Sequence, residues 1–169
     1  AREGANVISA SRDAATGDIR IVDRKKSIII TSGGKNITPS LIENALKESP
    51  YIEEAILLGD GRHFLAALIQ IDLVTVGHWA QEQGLAYTHY AHLASLPEVH
   101  ELVDAAVQAV NGRFARVENV RKFVILRKQL DHDDGEVTAT MKVRRAAIEK
   151  KFRAEIEEIY GPAKQEETA

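Results

Sequence analysis

Residues 24–39 read RKKSIIITSGGKNITP and pass from cations through an isoleucine run into a glycine turn and a helix start. The three isoleucines at 28–30 are β-branched and apolar, which is typical of a buried strand. The two glycines at 33–34 permit backbone angles that a Cβ would obstruct. Thr38 and Pro39 suit the N-cap and the first helical position. The stretch therefore predicts a rigid turn held between a strand and a helix.

The remaining pattern predicts an α+β fold with a small mixed or antiparallel sheet flanked by helices. Two apolar runs, 55–58 and 64–71, flank a glycine-containing loop and indicate an antiparallel hairpin. Apolar periodicity predicts the other elements. These are a helix with Leu41, Ile42, Ala45 and Leu46, a helix with Leu73, Val76, Trp79 and Ala80 that stops near Gly84, a long helix from Pro97 to Phe114, a strand at 120–126, and a last helix with Ile148, Phe152, Ile156 and Ile159 on one face.

We divide the chain into an irregular lead-in at 1–18, one domain at 19–160 and a disordered tail at 161–169. Near the amino terminus, Ile19, Ile21 and the run at 28–30 indicate two strands, as a β-hairpin or a strand with a corner. Residues 87–96 show no firm period. Residues 131–136 read as an exposed acidic turn.

The 169 residues suffice for one ordinary core. A net charge of −3 gives no overall positive electrostatic field that would attract nucleic acid or an anionic membrane. The chain has no cysteine, which excludes disulfides and thiolate metal sites. No apolar run approaches the roughly 20 residues that span a bilayer. We expect an intracellular, cytoplasmic protein without a transmembrane segment or a nucleic-acid partner.

Three familiar site patterns do not fit. A P-loop needs glycine where Ile29 stands and Ser or Thr where Asn36 stands. A calcium loop that starts at Asp131 would need Glu at position 142, which is Lys142. His89 and His92 lack a third ligand pattern and are interpreted as a surface pair, so we predict no metal site.

A second segment, EVTATMKVRR at 136–145, places Lys142 in a small, hydroxyl-rich stretch just before a helix. A lysine in that position could meet an anionic ligand. On residue type alone, the basic flank of a surface helix is the favoured interpretation of Lys142, Arg144 and Arg145, and a structural turn is favoured for the glycine pair.

Taken together, the two segments resemble a known family, the acyl-adenylate-forming enzymes, and specifically the carboxy-terminal domain of long-chain fatty-acid CoA ligases. The resemblance is carried by DRKK at 23–26, SGGKNITP at 32–39 and EVTATMKVRR at 136–145, in the family's order. It covers about residues 17–160. The helical stretch at 73–114 resembles the insertion of the long-chain branch.

The resemblance implies a mobile lid domain in a two-step reaction. A fatty acid and ATP, with Mg²⁺, give acyl-AMP and pyrophosphate, and the CoA thiol then displaces AMP. Lys142 would act in adenylation, contacting carboxylate and phosphate oxygens. Arg24 would contact the adenylate ribose.

The resemblance also implies that this domain rotates between the two steps. Lys26 would be the hinge of that rotation. The CoA channel would be bordered by Ser32, Gly33, Gly34 and Lys35.

The family's large domain, with most of the ATP site and the acyl pocket, has no counterpart in these residues. We therefore expect an inactive fragment with no tightly bound cofactor, whose principal partner is that domain; peripheral membrane association of the longer enzyme is left open. Ser27 stands where the family often has Asp, and the Thr-Gly-Asp at 16–18 lies too close to Arg24 for ribose binding. Two alternatives remain: an adenylating enzyme that loads a carrier protein, and a non-catalytic module that binds through the helices at 79–114.

Overall fold

The computed structural model describes residues 8–12, 19–24, 28–140 and 142–161, with side chains from residue 28 onward. Four strands precede the first helix, and groups of strands and helices follow it. The elements are β1 (Ile8–Arg12), β2 (Ile19–Arg24), β3 (Ile29–Ile30), β4 (Asn36–Ile37), α1 (Pro39–Lys47), β5 (Ile52–Leu58), β6 (Leu65–Ile71), α2 (Leu73–Glu82), α3 (Tyr90–Ser95), α4 (Pro97–Asn111), β7 (Val120–Ile125), α5 (Arg145–Lys151) and α6 (Arg153–Tyr160), with a 3-10 turn at Arg116–Glu118.

The central sheet has three strands in the order β5-β6-β7. The β5–β6 pair is antiparallel and closes as a hairpin, whereas β6 and β7 run parallel. A parallel pair needs a long crossover, and the helices α2, α3 and α4 supply it. The sheet is therefore mixed, which confirms the predicted α+β class.

The sheet is covered on both faces, and every residue of β6 is buried. Because side chains alternate across a strand, Leu57, Ala67 and Ile69 pack with helices α1 to α4. Ile56, Ala66 and Leu68 point the opposite way and pack with Ile148, Phe152 and Ile159 of the last two helices and their junction. Two hydrophobic clusters thus share one sheet.

Most elements match the sequence prediction. Helix α1 begins at Pro39 with Thr38 at the N-cap position, and α2 ends before Gly84, whose φ is 70°. The long helix ends at Asn111, short of the predicted Phe114. Residues 87–96, which showed no period, contain the short helix α3.

The amino-terminal region differs from the prediction. Within the expected irregular lead-in, Ile8–Arg12 forms strand β1, which pairs antiparallel with β2. The isoleucine run does not pair with β2; Ile29–Ile30 pairs with Asn36–Ile37 across the glycine turn. An amino-terminal hairpin exists, but its strands are β1 and β2. The turn predicted at 16–18 and the tail at 162–169 lie outside the described residues.

The last predicted helix is two helices, α5 and α6, separated at Phe152. Its predicted apolar face persists, because Ile148, Phe152 and Ile159 are buried. Gly161 ends the second helix at a φ of 79°. Among the described residues, no helix is both long and apolar enough to cross a bilayer.

Candidate functional site

The glycine loop, residues 31–35, is an exposed turn between β3 and β4. The N–H of Gly34 donates to the Thr31 carbonyl at 2.9 Å, and the N–H of Thr31 donates to the Lys35 carbonyl at 3.0 Å. Gly34 has a φ of 81°, a conformation that glycine adopts without strain. The predicted tight turn is thus present, with Ser32, Gly33, Gly34 and Lys35 all exposed.

This loop lies on the turn that connects β5 to β6. The Ser32 N–H donates to the Arg62 carbonyl at 2.9 Å, and the Gly61 N–H donates to the Ile30 carbonyl at 2.8 Å. Asp60 Oδ1 accepts the Ile30 N–H at 3.1 Å, and the Ser32 hydroxyl lies 2.9 Å from His63 Nδ1. The two turns therefore support each other through backbone hydrogen bonds, one carboxylate acceptor and one Ser–His contact.

Lys142 belongs to a second exposed turn, the Lys142 hairpin, residues 136–144, of which residue 141 is not described. The N–H of Arg144 donates to the Glu136 carbonyl at 2.9 Å, Val137 pairs with Val143, and the N–H of Thr138 donates to the Lys142 carbonyl at 2.8 Å. The Lys142 N–H also donates to Thr138 Oγ1 at 3.1 Å. These three rungs place the Lys142 backbone on a short ladder that starts at Glu136.

Glu136 stands at the start of that ladder and is buried, with 0% of its side chain exposed. Its Oε1 accepts from Lys128 Nζ at 2.9 Å and from Lys151 Nζ at 2.8 Å, and its Oε2 accepts the Asp131 N–H at 2.8 Å. Both lysines also pair with Asp134, which is 48% exposed. The predicted exposed acidic turn is thus wrong at Glu136, because two ammonium groups compensate its charge below the surface.

These contacts set the protonation of the cluster. Burial opposes the charge on Glu136, but the hydrogen bonds from Lys151, Lys128 and the Asp131 N–H outweigh it and hold the pKa of Glu136 below its ordinary value. The same two lysines lower the pKa of Asp134. Burial disfavours the charged form of Lys128, yet its hydrogen bonds to Asp134 and Glu136 raise the pKa of Lys128. The cluster is therefore charged at neutral pH.

One ion pair connects the elements that follow the two turns. Arg145, directly after the Lys142 hairpin, donates to Glu43 Oε1 at 2.6 Å and to the Leu57 carbonyl at 2.5 Å. The same Glu43 oxygen accepts the Leu57 N–H at 2.7 Å. Glu43 lies in α1, which follows the glycine loop, so the residues that follow the two turns both contact β5 at Leu57.

The predicted site residues whose side chains the structure describes are exposed and lie outside the grooves. In the described part of the chain, no carboxylate forms an ion pair with Lys142 or Lys35. Two grooves of about 310 and 470 Å³ run along β7, α4 and α6, and neither is lined by a predicted site residue. The candidate site is therefore an open surface.

The other predicted positions are only partly described. Arg24 is the last residue of β2, known here by its backbone, and Lys26 lies outside the described residues. The described residues contain no group of three or more metal-ligating side chains. His89 is exposed and His92 is half-buried, and both contact Thr88.

Comparison with known proteins identifies the class. A family model described as the AMP-binding enzyme C-terminal domain matches residues 26–164, so the chain belongs to that family. The resemblance drawn from residues 23–39 and 136–145 is confirmed.

Curated relatives are named as long-chain-fatty-acid–CoA ligases. FadD15 of Mycobacterium tuberculosis is 40% identical over 145 residues, which cover 85% of this chain and 24% of the relative. ACSBG1 of Homo sapiens is 31% identical over 169 residues, covering 89% of this chain and 23% of the relative. The chain thus spans about a quarter of the length of these relatives.

Solved structures share the fold. The adenylation domain of a carboxylate reductase from Mycobacterium chelonae superimposes with a TM-score of 0.67 at 17% identity, covering 86% of this chain and 21% of that one. A Mycobacterium tuberculosis fatty acyl CoA synthetase gives a TM-score of 0.52 at 20% identity, covering 86% and 23%.

Sequence reasoning did not identify Glu136, Lys128 and Lys151 as an ion cluster or Glu43 and Arg145 as a pair. The available signal was weak: a lone Glu at the start of the lysine segment and cations in neighbouring elements.

Proposed function

We propose that this chain is the mobile carboxy-terminal domain of a long-chain fatty-acid CoA ligase, which joins a fatty acid to CoA through acyl-AMP at the expense of ATP with Mg²⁺. In this proposal Lys142 acts in adenylation, Arg24 contacts the adenylate and Lys26 is the hinge. Ser32, Gly33, Gly34 and Lys35 border the CoA channel after rotation. The isolated domain is inactive, because the remaining ligand contacts belong to the large domain of the longer protein.

The observation that carries the proposal is that two exposed turns, the glycine loop and the Lys142 hairpin, are both held against one small sheet. A lysine without an ion-pair partner among the described residues can contact developing negative charge on another surface. The two glycines of the turn carry no side chains and leave room for a thin substrate chain. The relatives named as long-chain-fatty-acid–CoA ligases, at 40% identity, support the acyl and thiol substrates.

The decisive experiment uses the full-length protein and separates the two half-reactions. Adenylation is measured by fatty-acid-dependent exchange of pyrophosphate into ATP, and thioester formation by adding CoA to supplied acyl-AMP. Lys142→Ala should slow adenylation by about 100-fold or more, since it removes a charge that stabilises the transition state, and should change thioester formation by less than about 3-fold.

The matched control is Lys150→Ala, which removes another exposed lysine, on helix α5. It should leave both half-reactions unchanged. Equal loss of both half-reactions in Lys142→Ala would contradict the assigned role. If a carrier-protein thiol replaced CoA as the better acceptor in the wild-type protein, the carrier-loading alternative would be favoured.

A further inference from the structure

We propose that Glu136 is a positioning residue for Lys142 in the adenylation half-reaction. The inference rests on the proposed function and adds to it the group that holds the lysine in place. Glu136 is the fully buried acid at the base of the Lys142 hairpin.

The connection between the two residues is short and continuous. Glu136 and Arg144 form the first rung of the hairpin, Val137 and Val143 the second, and Thr138 and Lys142 the third. At about 3.3 Å per residue, Lys142 stands roughly 7 Å along the ladder from the acid. A shift of the Glu136 backbone should therefore be transmitted to the Lys142 backbone through these hydrogen-bonded pairs.

The acid is held from two separate elements. Lys128 lies in the segment after β7, and Lys151 is the last residue of α5. Both ammonium groups reach Glu136 Oε1, at 2.9 and 2.8 Å. The Asp131 N–H reaches the other oxygen at 2.8 Å. Two segments, the connection after β7 and the end of α5, thus supply three donors to one carboxylate and determine where the hairpin leaves the core.

Burying a carboxylate is costly, because the charge loses its hydration and must be compensated by partners in the folded protein. A well-packed apolar residue at 136 would avoid that cost. An apolar side chain packs without a directional contact, whereas the carboxylate sets both distance and angle through directional hydrogen bonds. That directionality is what a reacting lysine requires, since a displacement of about 1 Å costs about 100-fold in rate.

The test compares Glu136→Gln with Asp134→Asn in the full-length protein. Asp134 pairs with the same two lysines but is exposed and is not a rung of the hairpin. Glu136→Gln should slow pyrophosphate exchange by about 10- to 100-fold and change thioester formation from supplied acyl-AMP by less than 2-fold. Asp134→Asn should change both by less than 2-fold.

A double variant identifies the route of the effect. If Glu136 acts only through Lys142, then Glu136→Gln added to Lys142→Ala slows adenylation no further. A purely structural role for Glu136 would slow both half-reactions and would add to the loss from Lys142→Ala; that result overturns the proposal. Unchanged pyrophosphate exchange in a folded Glu136→Gln protein overturns it too.

Lys151→Met provides a second variant should Glu136→Gln fail to fold. The variant leaves the acid one ammonium partner and should again slow pyrophosphate exchange more than thioester formation, by a smaller factor. Equal slowing of both half-reactions would overturn the proposal. Failure of the proposed function is separately visible, because the wild-type protein would then show no fatty-acid-dependent pyrophosphate exchange.

Discussion

The glycine loop and the Lys142 hairpin are both exposed turns on one small sheet, yet different forces hold them. The glycine loop is attached to the β5–β6 turn mainly by backbone hydrogen bonds, with the Asp60 carboxylate on the Ile30 N–H and one Ser–His contact. The Lys142 hairpin is anchored by a buried carboxylate between two lysines. The glycine loop should therefore depend less on buried charge than the hairpin does. Three predictions test that contrast.

The largest effect is expected when the buried acid loses both cations. Lys128→Met with Lys151→Met should lower the free energy of unfolding by about 3–5 kcal/mol, because Glu136 is left as an uncompensated buried charge. Urea unfolding of the 169-residue chain measures this change.

Replacing the acid as well, with Glu136→Met in the same background, should recover much of that loss. Lys150→Met, which removes an exposed lysine, should change the free energy of unfolding by less than about 0.5 kcal/mol. A loss below about 1 kcal/mol in the double variant would mean that water solvates the carboxylate.

Acid should weaken the hairpin before the glycine loop. The folded-state pKa of Glu136 lies below its ordinary value of 4.5, so the folded protein binds fewer protons there than the unfolded chain. Its contribution to stability is complete above about pH 4.5 and is lost as pH falls through the lower, folded-state pKa. Asp134 adds to the same trend below its ordinary 3.8.

The pH dependence of urea unfolding, compared between the wild-type chain and Glu136→Gln, isolates this contribution. The wild-type free energy of unfolding should fall more steeply below pH 4.5 than that of the variant. Parallel curves would show that Glu136 has the same pKa in both states.

The smallest effect concerns the glycine loop. Gly34→Ala should cost about 1–2 kcal/mol, because φ is 81° there and alanine is strained in that region, although no atom lies within 4 Å of the added Cβ. Gly33→Ala is the matched control: its backbone is not left-handed and its nearest neighbour, Thr31 Oγ1, is 4.0 Å away. Urea unfolding should detect the first change and little of the second. Equal costs would place the strain elsewhere.

Local residue order predicted much of the molecule. The turn at 33–34, the helix that begins at Pro39, and the hairpin of β5 and β6 depend on residue types close together in the chain. The family resemblance depends on two short segments, 23–39 and 136–145, that are each local. The pairing of β1 with β2 was missed because Ile8–Arg12 has mixed polarity and weak periodicity. The division at Phe152 was missed because both helices keep one apolar face.

The same distinction between local sequence and tertiary structure applies to the candidate site. The sequence by itself indicated the glycine turn and the helix start behind it, because glycine permits a positive φ and proline fixes its own φ. It did not indicate the Lys142 hairpin, whose rungs appear only in the folded chain. Tertiary structure alone decided that Glu136 is buried and compensated while its neighbour Asp134 is exposed, and that Glu43 meets Arg145. Burial of a charge depends on solvent exclusion and partners from distant segments, and neither can be read from the acidic stretch that contains it.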